Sequence, residues 1–323
     1  MFDRTTILLL GLGAAAVVAL ALWAFLPRAG VSAETLRAAY AEPAAPPPPG
    51  GMRVFHLGHS LVGRDMPAML AQLAGPGHGY ESQLGWGTSL KQHWEPGEEI
   101  GGFETENAHP RFRAAREAVA SGAYDAVILT EMVELRDAIK YHQSGKYLAL
   151  WGALARETTP DTRLYLYESW HRLDDPDGWL DRLDRDYHAL WLGKLAGADL
   201  ARNRPARPVY VIPAGQVMAR FVRALEARGG TEGTEGPITS REDLFQRKED
   251  GTRDPIHIND LGAYLVALTH YAVLYQASPV GLPHQLSRAD GTPAQAPPED
   301  IARLMQETVW NVVRDLPETG VPR

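Results

Sequence analysis

The chain has 323 residues, a formal net charge of −8 and no cysteine. That length suffices for an α/β domain that buries its apolar surface without disulfides, and the missing cysteine excludes thiolate catalysis, thiolate metal sites and disulfide staples. The acidic balance, with no cluster of Lys and Arg, argues against a nucleic-acid binder, because phosphate contacts require one. Residues 6–26 carry no charge. As a helix they span about 31 Å, close to the thickness of a bilayer core. The run is longer than the roughly 7–15 apolar residues of a cleaved signal. The expectation is therefore a membrane anchor over residues 1–28, in contact with the lipid bilayer through residues 6–26, with the body extracytoplasmic; a removed signal segment is the alternative. Residues 29–51, rich in Pro, Ala and Gly, read as a linker, since consecutive prolines favour an extended chain and cannot join a sheet interior.

The body, residues 52–278, alternates strand and helix patterns. Strands are predicted at 53–58, 124–129, 163–168 and 208–212. Helices are predicted at 66–73, 110–121, 147–156, 179–195, 216–228 and 261–275. The helix at 179–195 carries Trp179, Leu183, Tyr187 and Leu190 at the 3.6-residue rhythm. Strands joined by helices imply crossover connections and a mostly parallel sheet. Residues 229–253 form the longest irregular stretch, opening on the Gly-rich run 229–236. Residues 279–323 read as a C-terminal extension whose amphipathic helix, 301–313, packs on the domain.

In a parallel sheet, ligands bind at the carboxyl ends of the strands. Gly58, His59 and Ser60 fall there, directly after the first strand. A serine hydroxyl becomes a useful nucleophile once a base takes its proton. His257 is the best base in the chain, and Asp254, three residues earlier across Pro255, is the natural group to orient its ring. His59 adjoins Ser60 on an extended segment, where neighbouring side chains diverge; it reads as structural or substrate-facing.

These residues resemble the motifs of the SGNH, or GDSL-like, hydrolases. Gly58-His59-Ser60 matches the family's nucleophile block, with His59 in place of the usual Asp. Asp254-Pro255-Ile256-His257 matches its acid–base block, and the following Asn259 and Gly262 match the start of its last helix. The resemblance covers residues 52–278 and implies a flavodoxin-like three-layer α/β/α sandwich and a serine ester hydrolase with catalytic Ser60, Asp254 and His257. It also implies an oxyanion hole built from the N–H of Ser60 and a glycine, Gly87 ahead of Gly85.

One block departs from the family. Where relatives place an asparagine donor, the third strand ends Thr130-Glu131. Losing one oxyanion donor costs about 10²–10³ in rate, so a substitute is expected from Thr130, a protonated Glu131, Asn107 or Gln143. Trp170, at the end of the fourth strand, is a candidate substrate contact. The carboxylates Asp174, Asp175, Asp177, Asp181, Asp184 and Asp186 read as a solvated loop and helix face. No metal or organic cofactor is expected: there is no His-Glu-x-x-His and no ordered calcium loop. The expected activity is cleavage of carboxylic esters, O-acetyl groups on glycans among them, through an acyl-enzyme. A saccharide O-acyltransferase using the same triad and a catalytically silent binding module of the same fold are the alternatives.

Overall fold

A computed structural model describes residues 31–323, apart from 206, 229–230 and 234–235. The uncharged run at 6–26 lies outside the described residues; among those described, no helix is long and apolar enough to cross a membrane. The chain enters as α1 (Ala33–Ala39), then β1 (Arg53–Leu57), α2 (Asp65–Ala74) and β2 (Gly79–Gln83). Three short helices, α3 (Leu90–Trp94), α4 (Phe103–Glu106) and α5 (Ala115–Ala120), lead to β3 (Ala126–Thr130). There follow α6 (Leu135–His142), α7 (Ser144–Thr158), β4 (Arg163–Glu168) and α8 (Trp179–Asp186). A π-helical segment, Tyr187–Ala196, runs into α9 (Gly197–Asn203), and β5 (Tyr210–Pro213) into α10 (Ala214–Ala227). Two antiparallel ribbons come next, β6 (Thr231–Gly233) with β7 (Gly236–Ile238) and β8 (Phe245–Arg247) with β9 (Arg253–Ile258). Helices α11 (Asp260–Tyr275) and α12 (Glu299–Asp315) close the order.

The central sheet has five parallel strands in the order β2-β1-β3-β4-β5. Its inner strands are mostly apolar and largely buried because both faces are covered, with His56, Arg163 and Glu168 among the buried polar exceptions. Along β3, Ala126 and Ile128 point to one side, where α2, α10, α11 and α12 pack. Val127 and Leu129 point to the other, against α5, α7 and the π-helical segment. Helices therefore flank the sheet on both sides. The order reverses between β1 and β3, which opens a crevice at the carboxyl ends of these two strands.

Two expectations are corrected here, and two elements were not anticipated. Residues 31–51 do not stand off as a linker. Tyr40 and Ala44 are buried in the main core, the Tyr40 hydroxyl donates to the Val209 carbonyl (2.8 Å), and the Ala44 N–H donates to the Gly320 carbonyl (2.8 Å). The stretch after 229 is not structureless, since it forms the two ribbons and places Asp254 and His257 on a strand. Finally, β2 and α6 escape the sequence pattern. Strand β2 reads Gly-Tyr-Glu-Ser-Gln because it lies at the sheet edge, where polar side chains are tolerated.

Candidate active site

The turn after β1 is shaped by contact with β3. A Cβ on Gly58 would lie 2.7 Å from the Thr130 Cβ and 2.8 Å from Val62 Cγ2, so only glycine fits. Two buried histidines fix the turn. His59 Nε2 donates to the Glu131 carbonyl (2.9 Å) while its Nδ1 accepts the Leu61 N–H (3.4 Å). His93, on α3, donates from Nε2 to the Gly58 carbonyl (2.8 Å) and accepts from Gln83 Nε2 (2.9 Å). Burial lowers both imidazoles to about 4, so both are neutral at physiological pH. His59 is thus a brace between the β1 turn and the end of β3.

Ser60 Oγ lies 3.1 Å from His257 Nε2, and His257 Nδ1 lies 3.1 Å from Asp254 Oδ2. The second carboxylate oxygen of Asp254 accepts the N–H groups of Ile256 (2.8 Å) and His257 (2.9 Å). Partial burial pushes the Asp254 carboxyl up. The two N–H groups and the imidazole outweigh that and hold it at about 2. Beneath this strand lies Trp170, whose Nε1 donates to the Ile256 carbonyl (2.8 Å). Trp170 is 1% exposed and does not line the cavity. Trp170, a candidate substrate contact, instead packs beneath the strand that carries His257.

A cavity of 580 Å³ opens over Ser60, bordered by His257, Gly87, Trp86, Val133 and Ile256 among others. Gly87 has φ +55° and open space beside its Cα. Among the described residues, neither its N–H nor that of Ser60 has a protein acceptor. Gly85 is buried, with Thr88 and Ile100 pressed against it, and does not line the cavity. Of the two glycines, Gly87 faces Ser60.

None of the four expected third donors reaches the cavity. Thr130 is fully buried against Gly58. Glu131 turns inward, its Oε1 accepting the N–H groups of Met132 (2.8 Å) and Leu90 (3.2 Å). Burial raises the Glu131 carboxyl to about 7 against the pull of those N–H groups. Asn107 spends its amide on the Leu84 and Phe103 carbonyls, each at 2.8 Å, and its oxygen on the Leu84 N–H. Gln143 is an exposed residue at the α6–α7 junction. A strand end packed this tightly leaves its side chains no route to the cavity.

Sequence reasoning missed several residues here. Trp86 stands 57% exposed at the rim, its Nε1 donating to Glu106 Oε1 (2.8 Å); a tryptophan between two glycines in a loop was the available signal. His93 and Gln246 carried none. Of the acidic run at 174–186, Asp174, Asp177, Asp181 and Asp184 are exposed as expected, and the correction concerns Asp175 and Asp186. Asp175 and Asp186 join Glu134 around the buried Arg182 at 2.5, 2.6 and 2.8 Å. This cluster ties the turn after β3, next to Val133, to α8. Asp174, Asp177 and Asp184 pair with Arg172, Arg136 and Arg223 nearer the surface.

No family model matches this chain, and no curated protein matches it. Among solved structures it is similar to a DUF4886 family protein from Bacteroides uniformis, at 13% sequence identity and a TM-score of 0.51. The match covers 81% of this chain and 95% of that one. At that identity the likeness is one of fold.

Proposed function

We propose that the protein is a serine ester hydrolase of the SGNH type, with the flavodoxin-like sandwich as its scaffold. The observation that carries the reading is the continuous chain from Ser60 Oγ through His257 to Asp254, with 3.1 Å at each link, at the floor of an open cavity. Ser60 Oγ attacks the ester carbonyl as its proton passes to His257 Nε2. The oxyanion is held by the Ser60 and Gly87 N–H groups. As the carbon–oxygen bond to the alcohol breaks, the imidazolium returns that proton to the departing oxygen. Water then attacks the acyl-enzyme by the same route, its proton taken by His257, and the acid leaves while Ser60 is reprotonated. Asp254, ionised down to about pH 2, keeps the ring oriented and stabilises the imidazolium.

A hole of two N–H groups is one donor short of the resembled family's. A missing donor costs about 10²–10³ in rate, so turnover is expected to be modest. A sugar hydroxyl replacing water would make the same site an acyltransferase, and product analysis distinguishes the two. Ser60→Ala in the full-length chain is expected to lower the release of acid from small aryl acetates by about 10³-fold or more, with the melting temperature unchanged. Wild-type turnover in that variant would overturn the assignment.

A further inference from the structure

A second cavity, of 420 Å³, adjoins the first across Ser60, Leu61 and Gln246, which line both. His257 and Gly87 line only the first. This division has a chemical consequence. The departing alcohol must receive its proton from His257 Nε2, so the alcohol occupies the cavity that the imidazole borders. The acyl chain, on the opposite substituent of the attacked carbon, is directed toward the second cavity.

That cavity is lined by three guanidiniums, Arg64, Arg247 and Arg288, against two carboxylates, Asp65 and Asp260. Arg288 is neutralised by Asp260 through a two-pronged pair at 3.0 and 2.5 Å. Arg64 donates to the carbonyls of Thr105 and Glu106 (3.3 Å to the latter), and Arg247 to the Gly251 carbonyl (3.3 Å). A carbonyl satisfies a guanidinium N–H without cancelling its charge. Neither Arg64 nor Arg247 makes an ion pair among the described residues. Asp65, the other carboxylate of the lining, accepts the Ala289 N–H (2.9 Å) and lies in the field of Arg288. The lining of this second cavity thus carries three guanidiniums against two carboxylates, in a chain whose net charge is −8.

We propose that this second cavity is an acyl subsite for a carboxylate, and that the preferred substrates are half-esters of short dicarboxylic acids, whose free carboxylate meets Arg64 and Arg247. Guanidiniums suit such a group because they keep their charge at any ordinary pH and carry more N–H donors than their carbonyl partners use. The carboxylate takes no part in bond making or breaking; it sets which ester binds. This inference rests on the serine-esterase reading of Ser60.

The test compares monoethyl succinate with ethyl 4-methylpentanoate, in which an isopropyl end replaces the carboxylate, using the full-length chain and following acid release. The half-ester is expected to show a kcat/KM at least about tenfold higher at low salt, with the ratio shrinking as ionic strength rises. Arg64→Gln and Arg247→Gln are each expected to move the ratio toward one. Arg64 also ties its turn to residues 105–106, so if that variant fails to fold, the exposed Arg247 decides. Equal or inverted rates in a wild-type protein that cleaves aryl acetates through Ser60 would overturn the subsite while leaving the esterase reading intact. Absence of any Ser60-dependent hydrolysis would overturn both.

Discussion

Asp254 and His257 act as a pair because of what surrounds the carboxylate. Two backbone N–H groups and the imidazole fill its acceptor sites, which depresses its titration to about 2 from the ordinary 3.8. The folded value lies below the unfolded one. Its contribution to stability is therefore present above about pH 4 and is lost as pH falls through about 2. Asp254→Asn keeps an oxygen for the two N–H groups but presents no charge to the imidazolium. The expected result is a fall of about 10²–10⁴ in kcat/KM with little change in melting temperature, and full activity would contradict the assigned role. At this scale what the sequence allowed to be foreseen is a juxtaposition: Ser60, Gly87 and His257 border one cavity, and Asp254 is hydrogen-bonded to His257. The sequence was not legible where a side chain had two geometrically open fates. Glu131 and Trp170 stand at strand ends, and only the packing above them decides whether they turn toward the cavity or into the core. His59 read as structural or substrate-facing, and neither it nor His93 revealed its bracing partners, which lie far away in the sequence: the Glu131 carbonyl for His59 and the Gly58 carbonyl for His93.

Between elements, Glu131 joins the end of β3 to the start of α3, since its carboxyl caps the Leu90 N–H just after the loop that carries Gly87. Burial raises that carboxyl from 4.5 to about 7. The folded value lies above the unfolded one, so the stability it contributes is full below about pH 4.5 and is lost as pH rises through about 7. Glu131→Gln retains an acceptor for both N–H groups and does not titrate. Relative to the variant, the wild type is expected to lose about 1–3 kcal/mol of stability between pH 4.5 and 7 and no more above it. Denaturant melts across that range check this, and a pH-independent difference would contradict it. The same scale explains which elements were predictable. Strands β1, β3, β4 and β5 are built around short apolar or aromatic runs that are buried, and such runs announce themselves. Strand β2 is polar and has β1 as its only strand partner, its outer edge meeting just an isolated bridge from Ser82 to Phe112, while β9, which carries Asp254 and His257, owes its extended form to its pairing with β8. Pairing partners distant in sequence leave no local period to detect.

Across the whole molecule, the stretch before β1 belongs to the body. Proline-rich composition signals an extended backbone, not a detached one. Here Gln276 Nε2 receives the chain by donating to the Ala44 and Ala45 carbonyls (3.1 and 3.0 Å). Tyr40 is 4% exposed within the main core. A fragment starting at Met52 is therefore expected to be less stable than one starting at Val31 by at least about 3 kcal/mol, the scale of removing one large buried side chain. Equal stability of the two fragments would show that residues 31–51 contribute nothing to the fold.

The central claim is that Ser60 is a nucleophile activated by His257. The most direct measurement is to treat the full-length chain with a fluorophosphonate and locate the adduct by peptide mass spectrometry. An activated serine displaces fluoride from phosphorus, whereas an ordinary surface hydroxyl does not react on the same timescale. A single stoichiometric adduct on Ser60 is expected, formed much more slowly in His257→Ala. An unlabelled Ser60 in folded protein, or an adduct on a different serine, would contradict it.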